Sequence, residues 1–213
     1  MICSNYDAFA LEEDGRIENQ VRSEYRELNL SNPPKFIWAN SSQQAREIVS
    51  SETEVDMIIC MFNEQDKGIF PFASELKEEG RGIPFVLLIH YSKAVRQRVL
   101  ESPRPGVDFV FSWHGNADLI LAIVKLLEDA ANADNDVFEV GVKGILLVED
   151  SIRYYSNYLP ELYKIVLTQS REFLKESLNE DQKKYRKRSR PKIFLATCLE
   201  EALAYFRKYG RNL

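Results

Sequence analysis

The chain of 213 residues contains one short pattern twice, and this repeat constrains its fold more than any other feature of the sequence. Segment 34–39 reads Pro-Lys-Phe-Ile-Trp-Ala, and segment 191–196 reads Pro-Lys-Ile-Phe-Leu-Ala. In that register a stretch with helical spacing follows each copy, and a short apolar strand end precedes each copy at a variable distance. A repeat of this size predicts a duplicated domain rather than a solenoid of many small units.

Apolar runs of strand length alternate with helical stretches through the first copy. The predicted strands are residues 1–5, 35–39, 56–62, 83–89 and 107–111, and the predicted helices include 42–50, 72–79, 92–101 and 117–131. Unbroken apolar strands are typical of a sheet covered on both faces, and alternation with helices implies parallel strands joined by right-handed crossovers. The sequence therefore predicts an α/β fold with a doubly wound parallel sheet.

The second copy begins with the run Ile145 to Val148, and the sequence stops soon after its second predicted helix. Within this copy lies a long aromatic arm, residues 151–177, in which Pro160 is expected to kink or restart the helix. We expect a first domain at 1–133, a linker at 134–142, and the N-terminal part of a second domain at 143–213. Because an open half-sheet exposes unpaired strand edges, this half is expected to belong to a longer polypeptide or to pair with another surface, and we favour the first.

Composition and cysteine spacing exclude several classes of protein. The hydrophobic fraction of 45% and the charged fraction of 29% are ordinary for a soluble globular protein. No apolar stretch approaches the roughly 20 residues of a membrane span, and the start of the chain lacks the features of a signal peptide. We therefore expect a cytoplasmic protein with no membrane partner. Cys3, Cys60 and Cys198 lie far apart without metal-ligand spacing, which favours reduced structural thiols.

Segment 145–151, Ile-Leu-Leu-Val-Glu-Asp-Ser, resembles the start of the receiver domain of bacterial two-component response regulators. The resemblance extends, as architecture, to almost the whole chain, and it implies a flavodoxin-like sheet with strand order 2-1-3-4-5. In receivers an acidic pair after the first strand holds Mg²⁺, and an Asp after the third strand accepts a phosphoryl group from a histidine kinase. A Thr or Ser follows the fourth strand, and a Lys that stabilises the transferring oxygens follows the fifth.

Position by position, the resemblance implies that Glu149 and Asp150 are metal ligands, with Mg²⁺ bound in a complete second domain. The first copy departs from the receiver pattern at the acidic pair, the acceptor, the hydroxyl and the lysine, where it has Ser4 and Asn5, Met61, Ile89 and Trp113. Neither a thioether nor the amide of the neighbouring Asn63 forms an aspartyl phosphate. The resemblance therefore implies a pseudo-receiver without a phosphoacceptor or a catalytic residue.

Other polar residues have competing interpretations. Asp66 is the acid nearest to the acceptor position. In the alternative of a shifted alignment Asp66 would be the phosphoacceptor, although it lacks the charge balance that phosphoryl transfer needs. The basic run 183–192 is interpreted as the solvated end of a helix, with a polyanion partner as the alternative. No base-reading module accompanies this run, so we do not expect nucleic acid binding. His90 and His114 follow different strands, which argues against a catalytic dyad.

These features predict a regulatory module of signal transduction rather than an enzyme. It combines a pseudo-receiver that contacts other proteins with the start of a receiver that keeps its acidic pair. The expected partners are a histidine kinase or an output module, and the aromatic arm suggests core packing or a homodimer contact. Two alternatives remain open: a flavodoxin-like small-molecule binding module, and the regulatory region of a larger enzyme resembling phosphoenolpyruvate synthase.

Overall fold

A computed structural model describes residues 1–12, 16–27, 33–51, 54–90, 99, 103–175 and 190–213. The chain forms two compact units, residues 1–18 with 35–116 and residues 19–34 with 117–213. These units are not the ranges expected from the repeat, and the domain boundaries at 1–133, 134–142 and 143–213 stay a prediction. The predicted helix 92–101 lies outside the described residues, apart from Val99.

The first unit contains a parallel sheet of β1 (Ile58–Met61), β2 (Phe85–His90) and β3 (Phe109–Trp113), in that spatial order. The first five of the six residues of β2 are buried, as expected for the middle strand of a covered sheet. Parallel strands and intervening helices confirm the predicted α/β class for this unit. The predicted strands at 56–62, 83–89 and 107–111 therefore exist with slightly different ends.

The two predicted strands nearest the chain start are wrong in length, because only isolated bridges form there. Ile2 bridges both Ala39 and Cys60 in parallel, with hydrogen bonds from Cys3 N to Ala39 O (3.0 Å) and from Ile2 N to Ile59 O (2.8 Å). The helix α1 (Asn5–Glu12) begins immediately after this segment. Few residues therefore remain to pair. Met1 N donates to Ile37 O and Ala39 N donates to Met1 O, but no residue of 33–38 forms part of a strand.

Among the described residues of the first unit, the helices that accompany the strands in sequence are α1, α3 (Ser42–Ser50) and α4 (Ile69–Glu78). Between α1 and α3 lies α2 (Arg16–Glu27), whose residues from 19 onward belong to the second unit. Ser41 caps α3, since its side chain accepts a hydrogen bond from Gln44 N. The turn before β3 requires glycine: Gly106 has φ +80°, and a Cβ atom there would lie 2.1 Å from the Ala73 carbonyl oxygen.

The second unit contains β4 (Gly144–Val148) and β5 (Lys192–Ala196), which pair in parallel, with helices between and around them. These helices are α5 (Ala117–Asp134), α6 (Ile152–Lys175) and α7 (Leu199–Tyr209). The predicted restart at Pro160 does not occur, because the proline lies inside the single helix α6. Its neighbours Leu159 and Tyr163 are buried, and this packing keeps the helix continuous across the proline.

The segment expected to be a linker is largely helical. Beyond Asp134, α5 continues into a π-helical turn at Asn135–Glu139. The turn places Val137 in a buried cluster with Ala133, Phe194 and Tyr209, and this apolar contact explains why the helix extends beyond its predicted end at residue 131. Among the described residues, no helix combines the length and the apolar character needed to cross a bilayer.

Candidate functional site

The carboxyl ends of the parallel strands in the first unit lie at one edge of the sheet, where ligands of such folds usually bind. Met61 ends β1, Ile89 lies near the end of β2, and Trp113 ends β3, where it pairs with His90. The side chains of Met61, Ile89 and Trp113 are buried, with at most 8% of their surface exposed. The three residues that were expected at the acceptor, hydroxyl and lysine positions of a receiver are thus packed apolar side chains.

The residues at the position of the acidic pair have a local structural role. Ser4 Oγ donates to Asp7 Oδ2 (2.6 Å) and accepts from Asp7 N (3.1 Å), so Ser4 caps the first turn of α1. Asn5 is exposed and is the first residue of that helix. Neither side chain carries the negative charge with which an acidic pair holds a hard cation.

Asp66 joins the loop after β1 to the start of α3. Its carboxylate accepts hydrogen bonds from Ser42 N (2.6 Å), Ser42 Oγ (2.6 Å) and Gly68 N (3.0 Å). Burial alone would raise the pKa of Asp66, but these hydrogen bonds and the charge of Arg46 hold it below its ordinary value. The carboxylate is therefore ionised, and it accepts hydrogen bonds from donors of the protein itself. This geometry favours a structural role for Asp66 over the alternative in which it is the phosphoacceptor.

The predicted metal pair follows β4 in the second unit. Glu149 Oε1 accepts a hydrogen bond from Ser151 N (3.0 Å) at the start of α6, and Asp150 is exposed. Two carboxylates suit Mg²⁺, which is often held by one or two carboxylates and several waters. Within the described ranges, no group of three or more His, Cys, Asp or Glu side chains is arranged to hold a metal ion. Mg²⁺ binding at Glu149 and Asp150 thus stays a prediction that rests on this pair alone.

A buried ionic cluster around Asp129 is a feature that the sequence analysis missed. Asp129 is fully buried, and its carboxylate contacts both terminal nitrogens of Arg190. It also accepts hydrogen bonds from Tyr163 Oη (2.8 Å) and Ile193 N (3.1 Å). Lys192 Nζ lies 3.6 Å from Asp129 Oδ1 and 2.6 Å from Asp136 Oδ2. The cluster thereby connects α5, α6 and the start of β5.

This cluster corrects the interpretation of the basic run. Arg190 and Lys192 belong to the segment expected to be a solvated helix end, yet both are held by carboxylates in the interior of the second unit. Burial alone would lower the pKa of Arg190, but the adjacent Asp129 raises it. Residues 183–189 of the run lie outside the described residues. The signal that could have revealed the cluster was the charged residues Lys125 and Asp129 within a helix whose other positions are mostly apolar.

Lys125 forms a second buried charge contact on α5. Only 1% of its surface is exposed, its Nζ lies 2.8 Å from Glu128 Oε2, and it lies 3.6 Å from the centre of the Tyr25 ring. Burial, together with Arg190, lowers the pKa of Lys125 to about 7, against the opposing charges of Asp129 and Glu24. Burial raises the pKa of Glu128 to about 7. Burial thus disfavours the charged form of both groups.

The aromatic arm divides into a buried and an exposed row. Tyr155 and Tyr163 are buried, whereas Tyr154 and Tyr158 are exposed and stack on each other with ring centres 6.0 Å apart. Tyr155 is therefore a core residue of the second unit rather than a candidate surface contact.

The exposed histidines His90 and His114 follow different strands of the first unit, as their positions in the sequence indicate.

A shallow groove in the second unit lies between the π-helical turn and the end of α7. Its volume is about 830 Å³, and its lining includes the aromatic rings of Phe138 and Phe206 with the cations Arg207 and Arg211. Both phenylalanines are exposed. The groove lies near the start of β4, since Asn212 of its lining accepts a hydrogen bond from Gly144 N. It is thus at the opposite end of that strand from Glu149 and Asp150.

Comparison of the chain with protein-family models, with curated proteins and with solved structures gives no match.

Proposed function

We propose that this chain is a regulatory module of the response-regulator type rather than an enzyme. Its first half is a pseudo-receiver that cannot be phosphorylated and acts through contacts with other proteins. Its second half is the beginning of a receiver that keeps an acidic pair for Mg²⁺. The partners are a histidine kinase or an output module, in the cytoplasm.

The order of chain segments in the first unit supports a flavodoxin-like topology. Ile2 lies between Ala39 and Cys60, and β1, β2 and β3 follow in sequence across the sheet. If the bridged segments around Ile2 and Ala39 are counted as the first and second strands, the spatial order becomes 2-1-3-4-5. The parallel pairing of β4 with β5 agrees with the first two strands of a second such sheet.

The observation that carries the proposal is the apolar edge formed by Met61, Ile89 and Trp113. These side chains occupy the ends of adjacent parallel strands, and each is buried. Phosphoryl transfer needs a nucleophile, a metal and cationic stabilisation at this edge, and none of the three residues supplies them. A receiver-like fold with this edge is not equipped to accept phosphate, which supports the assignment as a pseudo-receiver.

Labelling with acetyl phosphate tests the proposal. We expect the purified chain to incorporate no label on a carboxylate, and to bind no beryllofluoride with Mg²⁺ in calorimetry, while an active receiver domain serves as the positive control. Saturable binding of beryllofluoride, or an acyl phosphate located on Asp66 by mass spectrometry, would contradict the pseudo-receiver assignment.

The acidic pair is tested separately by titration with Mg²⁺ followed by nuclear magnetic resonance. We expect the amide signals of Glu149 and Asp150 to shift on addition of Mg²⁺, because two adjacent carboxylates attract a hard cation. The same titration of Asp150→Asn should give smaller shifts. Equal shifts in the variant would argue against this pair as the metal site.

A small-molecule binding module is the second candidate, and the groove at the end of α7 favours it. Aromatic rings beside the cations Arg207 and Arg211 suit an aromatic anion. The dye 8-anilinonaphthalene-1-sulfonate is a suitable probe. Saturable binding that is lost in Phe206→Ala and kept in Tyr154→Ala, a matched exposed aromatic on α6, would support this candidate.

A further inference from the structure

We propose that α2 is a pH-sensitive latch of the second unit, which docks over the side chain of Lys125 and detaches more readily as the pH falls. The part of α2 concerned begins at residue 19 and belongs to the same unit as α5 and α6. The inference does not rest on the receiver-like assignment. It follows from the position of one buried ammonium group beneath a helix that is attached through its side chains.

Side chains attach this part of α2 to the second unit. Val21 and Tyr25 are buried, and Arg171 of α6 pairs with Glu24 and Glu27. Between described residues, no main-chain hydrogen bond joins this helix to α5 or α6. The Tyr25 hydroxyl and Arg171 Nε are buried without a hydrogen-bond partner, which weakens the attachment. A helix held in this way can detach while the rest of its unit stays folded.

Lys125 lies directly beneath the docked helix. Its Nζ is 3.6 Å from the centre of the Tyr25 ring, and only 1% of the surface of Lys125 is exposed. When α2 detaches, the amino group loses the cover of this ring and gains access to water. Because hydration stabilises the charged form of a lysine, detachment of α2 favours protonation of Lys125.

The described charged groups around Lys125 come from three elements: Glu24 on α2, Glu128 and Asp129 on α5, and Arg190 and Lys192 in or just before β5. The Tyr25 ring and Glu128, 2.8 Å from Nζ, favour the charged form. Burial is nevertheless the largest effect, and with Arg190 it lowers the pKa of Lys125 to about 7. Detachment also removes the favourable charge of Glu24, but the regained hydration is the larger change.

The docked state therefore favours the neutral amine of Lys125, and the detached state favours the ammonium. From a pKa of about 7 in the docked state the value moves toward the ordinary 10.5 on detachment, so docking releases a proton in this window. Docking thus becomes tighter as the pH rises above 7. One proton changes the docking equilibrium by at most about tenfold per pH unit.

Hydrogen exchange of the amides at 21–27, corrected for intrinsic rates, measures detachment between pH 7 and 9. In the wild-type chain we expect opening to become rarer with rising pH, by up to about tenfold per unit. Lys125→Met is never charged and should open rarely at every pH, whereas Lys125→Arg is always charged and should open often at every pH. Slow exchange in β5 shows that the unit stays folded. Wild-type opening that does not change with pH, or Lys125→Met opening that keeps the wild-type pH dependence, would overturn the inference.

The coupling is reciprocal, so it can also be read from Lys125 itself. Val21→Asp places a charge in the buried contact of α2 and should detach this helix. In this variant the titration of Lys125, followed by nuclear magnetic resonance of its ε-methylene group, should move to higher pH. Ser23→Asp adds the same charge at an exposed position of α2 and should leave the titration unchanged. An unshifted titration in Val21→Asp with rapid exchange at 21–27 would contradict the latch.

Discussion

At the scale of single residues, the buried carboxylate of Asp129 stabilises the second unit through its contacts with several elements. Its carboxylate neutralises Arg190 and accepts hydrogen bonds from α6 and from the main chain of β5. In Asp129→Asn the guanidinium of Arg190 stays buried without its counter-charge. We expect the free energy of unfolding to fall by about 3–5 kcal/mol, as is typical when one partner of a buried pair is removed. Urea denaturation measures this change.

An exposed ion pair gives the matched control. Arg46 Nε and Glu75 Oε2 lie 2.7 Å apart, and 47% of the Glu75 side chain is exposed. Because water screens this pair, Glu75→Gln should cost at most about 1 kcal/mol. Equal losses in the two variants would mean that burial of Asp129 adds nothing to the strength of its contacts.

Lys125 should make stability depend on pH above neutrality. Its pKa of about 7 in the folded chain lies below its ordinary value of 10.5, so the unfolded chain binds more protons between these values. The free energy of unfolding therefore rises with pH from 7 toward 10.5, by up to about 1.4 kcal/mol per pH unit for this one group. In Lys125→Met that contribution is absent. Urea denaturation at pH 7, 8 and 9 should show the difference between wild type and variant growing with pH.

At the scale of elements, a single arginine secures the part of α2 that belongs to the second unit. Arg171 on α6 contacts Glu24 at 2.9 Å and Glu27 at 2.7 Å. A partly exposed ion pair contributes about 1 kcal/mol, so Arg171→Gln should speed hydrogen exchange of the amides at 21–27 by about fivefold. Lys164→Gln, at an exposed position on the same helix, should leave that exchange unchanged. Exchange followed by mass spectrometry measures both variants.

At the scale of the whole molecule, the chain is divided into two compact units, residues 1–18 with 35–116 and residues 19–34 with 117–213. Each unit has its own parallel strand pairing. The buried pair of Asp129 and Arg190 lies within the second unit, so Asp129→Asn should lower the stability of that unit.

Apolar patterning was sufficient to locate strands that pair with a neighbouring strand along their whole length. The run 83–89 predicted β2, and the run from Ile145 to Val148 predicted all but the first residue of β4. Pairing at the margins was harder to predict, because the segments 1–5 and 35–39 carry strand-like residues but form only bridges at Ile2 and Ala39. The length of a strand depends on how much partner chain lies beside it, and local sequence does not contain this information.

The candidate site likewise has features that the sequence predicts and features that depend on the folded chain. The identities of Met61, Ile89 and Trp113 at the strand ends follow from the sequence, whereas their burial depends on the packed sheet. Likewise, the aromatic spacing of α6 does not distinguish buried Tyr155 from exposed Tyr154 and Tyr158.

By itself, the sequence determined the α/β class and the parallel direction of the strands, because strand-length apolar runs separated by helices leave few other ways to bury the apolar residues. Only the tertiary structure decided where the charges of the second unit lie. Arg190 meets Asp129 across 61 positions of the chain. A buried charge is tolerated only beside its counter-charge, and that proximity is a property of the folded chain, not of either segment.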